Sequence, residues 1–487
     1  MLFNSYVFIF LFLPITLLVY FGLNQRKWML GSMIWLIFVS LGYYGWWNPI
    51  YVLLIVGSML FNFTVGKGLK KSKETGKILK KRFMLIAGIS GNLFLLGYFK
   101  YADFLISNVN YLTGSQIPLL HITLPVGISF FTFTQIAYLV DAQRGETEEY
   151  NLSVYALFVS FFPYLLAGPI IHHREMIPQF SQSRNKILDY KNLTAGLYLF
   201  FIGLFKKVVI ADAFAIWVSN GFDNAATLSL IEAWAASLSY TLQLYFDFSG
   251  YTDMALGCAM MFNIRLPINF DSPYKSLNIQ EFWRRWHITL GRFVRNYIYI
   301  PLGGNRVSEA RTLLNLMVTF FLVGLWHGGG WTFVFWGCLH GGALVVQRLW
   351  SRCNIRMPRF LAWFITFNFV NAAWVFFRAK TMRDGVKVLR GMMGMTGIVL
   401  PESLGERLKG LQDYGVRFGA CLENIGGNEK TIIMILIFLL VSLTLRNSNE
   451  RVARFKPDFV HLIFICVVAV LSILHLGSYS EFLYFRF

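Results

Sequence analysis

Two histidines are the side chains best suited to chemistry here, and each sits where an ionisable ring is unusual. His287 lies in QEFWRRWHITLGRFVRNYI, where basic and aromatic residues alternate. His327, forty positions further on, lies inside the apolar run FFLVGLWHGGGWTFVFWGCLHGG. An ionisable group at membrane depth is costly and is a functional candidate by default. With an ordinary pKa near neutrality, such a ring can take a proton from a hydroxyl while a thioester carbonyl waits beside it. The plain alternative is a buried ring hydrogen-bonded to a backbone carbonyl. The stretch around His287 fits a helix at the interface, with Trp283 and Trp286 at headgroup depth and Arg284, Arg285, Arg292 and Arg295 toward water or phosphates. Such a belt either anchors the chain or forms a basic, aromatic mouth for an anionic donor, for instance a nucleotide-bearing thioester.

The elements that must position these rings are membrane helices. The chain is 56% hydrophobic and 14% charged, with a mean hydropathy of +0.53. Soluble domains carry about 25% charged residues, so this is an all-α polytopic membrane protein. The net charge of +19 belongs to loops between apolar runs and does not point to nucleic acid. Five dispersed cysteines (Cys258, Cys338, Cys353, Cys421, Cys466) have neither metal-type spacing nor a disulfide pattern, and no metal is expected. The opening MLFNSYVFIFLFLPITLLVYFGL has no basic leader region or small-residue cleavage site and reads as a retained helix.

Apolar runs of spanning length fall at 5–23, 28–45, 50–66, 83–101, 122–140, 151–170, 193–211, 233–262, 312–327, 331–349, 359–377, 431–445 and 459–478. Pro125, Pro163, Gly168 and Pro169 break the fifth and sixth; broken helices at membrane depth are tolerated where they line a cavity. The count is therefore eleven to thirteen helices, some re-entrant. The basic stretch 67–82 should be cytoplasmic, which places Gln25-Arg26-Lys27 inside and the N-terminus outside. Residues 171–191 and 263–295, the turn with Arg348, Arg352, Arg356 and Arg359, and the turn with Arg446, Arg451, Arg454 and Lys456 also read as cytoplasmic, leaving the C-terminus outside. Reaching 171 on the inside requires that one of the two broken runs not fully cross. His327 follows about 15 apolar residues, about 22 Å of helix from the inner loop, and so lies in the outer half of the bilayer. Residues 378–430 form the one long non-spanning stretch, expected as a surface excursion with short amphipathic helices. No internal repeat is visible, which weighs against a transporter or flippase with histidine proton relays.

FWRRWHITL, YIYIPLGGNR, LVGLWHGGGWTFVFWGCLHG, YFDFSGYTDMALG (245–257) and the opening MLFNSYVFIFLFLPI resemble the bacterial membrane-bound O-acyltransferase (MBOAT) family, in its AlgI/PatA-like branch, with the DltB type more distant. The resemblance runs from 1 to 487 and implies one transmembrane domain, a ring of tilted helices around a thinned central funnel. It implies that His327 is the catalytic histidine and that His287 lines the active site, with Trp283, Arg284, Arg285 and Trp326 around the substrate. Asp247 and Asp253 match family positions too; the favoured reading is helix-packing groups bonded to Ser249 or Tyr251. The tail 479–487 ends FLYFRF, and related systems use a similar C-terminal motif as an acyl relay, which makes Tyr484 a candidate acyl carrier activated by His327. Against this, its aromatics are also what an interface anchor contains, and Arg486 stands where many members have Gln. The implied activity is O-acetyl transfer from cytosolic acetyl-CoA, with no bound cofactor, to an extracytoplasmic SGNH-type (serine-hydrolase-like) partner that modifies an envelope or exported polysaccharide. The implied location is the bacterial cytoplasmic membrane, among its lipids. The alternative within the enzyme class is a DltB-like D-alanyl transferase, whose motif is carried on a separate small protein.

Overall fold

The computed structural model describes residues 1–147, 150–353, 355–477 and 483. Helices make up most of it. The first half contains α1 (Leu13–Gln25), α2 (Met29–Gly45), α3 (Ile50–Glu74), α4 (Ile78–Thr113), α5 (Ile128–Arg144), α6 (Leu152–Ser160), α7 (Phe162–Leu165), α8 (His173–Ser181) and α9 (Tyr190–Phe205). The second contains α10 (Asp212–Ser219), α11 (Leu230–Met261), α12 (Ile279–Arg285), α13 (Ile288–Val294), α14 (Glu309–His327), α15 (Trp331–Trp350) and α16 (Arg359–Arg378). After α17 (Met382–Met392), two short strands, β1 (Ile398–Pro401) and β2 (Val416–Gly419), pair in parallel; α18 (Glu429–Thr444), α19 (Ser448–Ala453) and α20 (Phe459–Leu474) complete the order. The excursion expected over 378–430 thus holds one amphipathic helix and a strand pair that no alternation in the sequence announced.

Among the described residues, five helices are long and apolar enough to cross a membrane: Phe8–Gln25, Ile50–Glu74, Ile78–Thr113, Glu309–His327 and Arg359–Arg378. Met29–Gly45 and Phe459–Leu474 are shorter apolar helices. The two broken runs are short where the prolines fall. Helix α6 has nine residues, about 14 Å against a hydrocarbon core of about 30 Å, and stops at Phe161 ahead of Pro163. Helix α5 begins only after Gly127, whose φ of +77° is the left-handed region and whose missing Cβ would lie 2.6 Å from the Leu165 carbonyl oxygen. The broken ends of both runs therefore meet, and Pro125, Gly127 and Leu166 line the central cavity described below.

Helix α11 is the axis of the packing. Its residues Tyr251–Met261 belong to one hydrophobic core, built with α1 to α9, and its residues Ala233–Phe248 to a second, built with one face of α5 and with α10 to α18. Helix α9 lies against it backbone to backbone. A Cβ on Gly203 would come within 2.5 Å of the Gly250 carbonyl oxygen, and one on Gly196 within 2.7 Å of that of Gly257. Small residues at such crossings are what membrane helices use to approach closely. The chain then widens into a π-helical segment, Lys206–Ala211, that turns consecutive lysines toward α11. Lys206 Nζ lies 2.6 Å from Asp253, and Lys207 Nζ lies 2.5 Å from Asp247 and 2.8 Å from Asp212. Asp247 and Asp253 are accordingly helix-packing groups, and lysines of the neighbouring segment are among their partners.

Gly203→Leu is expected to separate α9 from α11 and abolish monodisperse folded protein, whereas Gly22→Leu, at a site with nothing within 4 Å of its Cβ, should leave it intact. Size-exclusion profiles and thermal melts in detergent check both. Lys207→Met leaves Asp247 and Asp212 without their cation and should cost about 3–5 kcal/mol, read as a large fall in melting temperature.

Candidate active site

His327 ends α14 and His287 opens α13, and both rings line one small cavity of about 70 Å³. Trp326 lies between them, its ring centroid 6.2 Å from that of His287 and 4.8 Å from that of His327. Trp336 and Phe377 pack edge-on against His327 at 5.2 and 5.0 Å, so its ring is held by aromatic faces on two sides. His287 is buried and sits at φ 44°, an uncommon conformation for a residue with a side chain. Asn269 holds it there. The Asn269 Oδ1 accepts the backbone N–H of Thr289 (3.2 Å) and its hydroxyl (2.9 Å), which fixes that atom as the amide oxygen, and it also lies 3.1 Å from His287 Nδ1. Nδ1 must then carry the proton, leaving Nε2 as the basic nitrogen.

The three glycines after His327 supply space and not a left-handed turn. Gly328 and Gly330 are extended, a Cβ on Gly328 would overlap the Phe333 ring, and one on Gly329 would lie 3.0 Å from the Lys100 carbonyl oxygen. That close approach brings α4 to the end of α14. Lys100 Nζ consequently donates to the Trp326 carbonyl at 2.5 Å and lies 3.4 Å from Ser129 Oγ and 5.6 Å from the Trp326 ring centroid. A primary amine in the wall of this cavity was not singled out from the sequence, although its place at the end of an apolar run was the signal for it. Trp374 and Phe377 of α16, which complete the lining, carried no such signal.

Cavities lie on both sides. One, of about 250 Å³, shares Lys100 and Leu124 with the central cavity and is bounded by Asp103, Gly328 and Gly329. The other, of about 680 Å³, is lined by Trp283, Arg284, Arg292, Arg295 and Arg348, and along α14 by Leu316, Thr319, Phe320 and Val323. Val323 stands one turn before His327, so α14 runs from the basic cavity to the histidine. The Trp283 indole N–H donates to His340 Nδ1 at 3.2 Å, and its ring reaches His327 through Trp336 (5.9 Å, then 5.2 Å). Trp283, Arg284 and Trp326 thus sit on cavity walls. Arg285 is paired with Glu281 at 3.0 Å and faces Asp271 at 3.5 Å. Tyr484 lies outside the described residues. Leu483, beside it in sequence, is buried in the second core together with Trp326, Trp374 and Phe377.

A cluster of metal-type side chains lies apart from this site. Asp141 Oδ2 is 2.7 Å from His172 Nε2, 3.0 Å from His173 Nε2 and 2.8 Å from the Tyr297 hydroxyl. These separations are hydrogen-bonding distances, and the knot ties α5, α8 and the chain after α13 together.

Residues 121–381 match the family model described as MBOAT, the membrane-bound O-acyltransferase family. Across its whole length the chain is 46% identical to the peptidoglycan O-acetyltransferase of Helicobacter pylori, covering 98% of that protein. It is 39% identical over 85% of its length to a probable alginate O-acetylase, AlgI, of Pseudomonas aeruginosa, covering 78% of it. A teichoic acid D-alanyltransferase of Bacillus subtilis is 27% identical over 52% of the chain and is covered over 69%.

Asn269→Leu keeps the volume and removes the acceptor that holds Nδ1–H. ¹⁵N-histidine spectra of the variant should show the His287 tautomer shifting from Nδ1–H toward a mixture, with the other seven histidines unmoved.

Proposed function

The chain belongs to the membrane-bound O-acyltransferase family and is an acyltransferase with several membrane helices, and from that premise we propose that it carries acetyl groups from cytosolic acetyl-CoA through the membrane to an extracytoplasmic acceptor. The observation that carries this reading is the single helix α14, which leads from an arginine-lined cavity to His327 in a small aromatic chamber with a second cavity beyond. Arg284, Arg292, Arg295 and Arg348 suit the phosphates of a nucleotide thioester, and Trp283 offers its base or pantetheine an aromatic face. The thioester carbonyl would then lie beside His327. His327 takes the proton of the attacking hydroxyl; the C–O bond forms, the C–S bond breaks, and the proton passes to the departing thiolate. Lys100, held at the Trp326 carbonyl beside His327, is placed to stabilise the oxyanion. His287 sets the polarity of the chamber through its bare Nε2.

In this reading the attacking hydroxyl is that of Tyr484, and the acetyl-tyrosine passes its group to an SGNH-type partner outside the membrane. The burial of Leu483 in the core that surrounds His327 supports a tail that reaches the chamber. The two named relatives that acetylate peptidoglycan and alginate support an envelope or exported polysaccharide as the final acceptor. D-alanyl transfer is the lesser alternative, since the relatives with that activity match about half of the chain. The N-terminus lies outside, the basic cavity opens to the cytoplasm, and residues 1–487 form one domain whose two cores share α11.

Intact and peptide mass spectrometry after incubation with acetyl-CoA tests the proposal. An acetyl group on the C-terminal peptide at Tyr484 is expected, absent in Tyr484→Phe and reduced about 10²- to 10⁴-fold in rate in His327→Ala. Full loading of a folded His327→Ala protein would remove that residue from the mechanism. Turnover of acetyl-CoA with a partner present but no tyrosine adduct would show direct transfer instead. Arg284→Glu combined with Arg295→Glu should raise KM for acetyl-CoA about tenfold or more while kcat changes little.

A further inference from the structure

A second site lies on the far side of α11 from the histidines, and nothing in the acyl-transfer reaction uses it. Two confluent cavities make it. The outer one, of about 470 Å³, is lined by Tyr198, Thr444, Leu445, Arg446, Arg451, Arg454 and His461. The inner one, of about 280 Å³, shares Leu445, Arg446 and Arg451 with it and continues between helices over Phe205, Phe246, Val441, Phe464, Val468 and Leu471. The mouth is therefore cationic and the depth apolar. No carboxylate lines the outer cavity, and among the described residues Arg446, Arg451 and Arg454 make no ion pair. The nearest buried cation, Lys206, is occupied with Asp253, and the guanidinium groups are left to recruit an anion from elsewhere. Lys275 adds a further positive charge beside the mouth, its Nζ donating to the Leu445 carbonyl at 2.7 Å.

We infer that this is a binding site for one anionic phospholipid, its phosphate held by Arg446, Arg451 and Arg454 and an acyl chain laid in the cleft toward Val468. Charge and shape both select this occupant. A free phosphate would use the mouth and leave the apolar cleft open, and a zwitterionic lipid would bring a cation of its own to a mouth lined by three arginines. Basic pockets between membrane helices are where anionic headgroups bind. The apolar depth takes an acyl chain that would otherwise lie among other lipid tails, so it selects an occupant that carries a chain and leaves the headgroup contacts to supply the affinity. The lipid would lie against α9, α18, α19 and α20, and so bear on the Lys206–Asp253 and glycine contacts through which α9 grips α11.

The test is lipid retention and thermal stability of the purified full-length protein. Native mass spectrometry from mild detergent should show one retained phosphatidylglycerol per chain. Adding phosphatidylglycerol after delipidation should raise the melting temperature more than phosphatidylcholine does at the same concentration. Arg446→Gln with Arg451→Gln should lower retention at least fivefold and erase the difference between the two lipids. Val468→Trp, which fills the cleft without changing charge, should also lower retention and serves where the arginine variants fold poorly. Equal stabilisation by both lipids, or undiminished retention in Val468→Trp, would overturn the inference. So would an equal effect of inorganic phosphate or glycerol phosphate, which would make this a free-anion site. Acetyl-CoA loading is measured alongside, so that a failure of the proposed function is seen separately from a failure of lipid binding.

Discussion

Two aspartates lie at the middle of the longest buried helix, and the rest of the molecule depends on how they are neutralised. Asp247 and Asp253 are almost wholly sealed from solvent, and a carboxylate in such a place is tolerated only when paired and hydrogen-bonded. Lys206 and Lys207 do this from one widened turn of the adjacent segment. The pairing fixes the register of α9 on α11, and the glycine crossings fix its distance. With those set, α11 can present one end to each of two cores. The chamber lies beside its upper part, where Leu244 and Phe248 join His287 in the lining.

The site itself is assembled from pieces of chain that stop short. The broken runs before α5 and after α6, the seven-residue helices α12 and α13, and the end of α14 all terminate around the same small volume. Each termination leaves backbone groups that an unbroken helix would have satisfied, and polar side chains such as Asn269 and Thr289 take them up. The Ile170 amide, for example, donates to the Thr289 hydroxyl, which in turn donates to Asn269. The same network that repairs the backbone orients His287. Structure and chemistry use one set of hydrogen bonds.

The sequence revealed the helical class, the two histidines and the broken runs, because each is a local departure from an apolar background. Lys100 was equally local but stood at the end of a run, where lysines usually reach out to the headgroups. Arg285 was grouped with Arg284 on type alone, although Glu281, four residues earlier on the same helix, was visible as its partner. Asn269 and the partners of Asp247 and Asp253 were not legible. Their contacts join residues 18 to 47 positions apart, and no periodicity encodes which segments will touch. The strand pair after α17 escaped for another reason: four-residue strands are too short for an alternating pattern to stand out.

Because one helix serves both cores, the order in which the chain leaves the ribosome has a consequence. The first core draws nearly all its buried residues from Phe3 to Leu266, so it can close once α11 has been inserted, before the second histidine is made. The second core runs from Phe133 to Leu483 and can be completed only when the tail has been synthesised. During the interval the upper flank of α11, with Asp247 already paired to Lys207, waits without its α16 and α18 neighbours. That flank stays uncovered until first α16 and then α18 have followed it out.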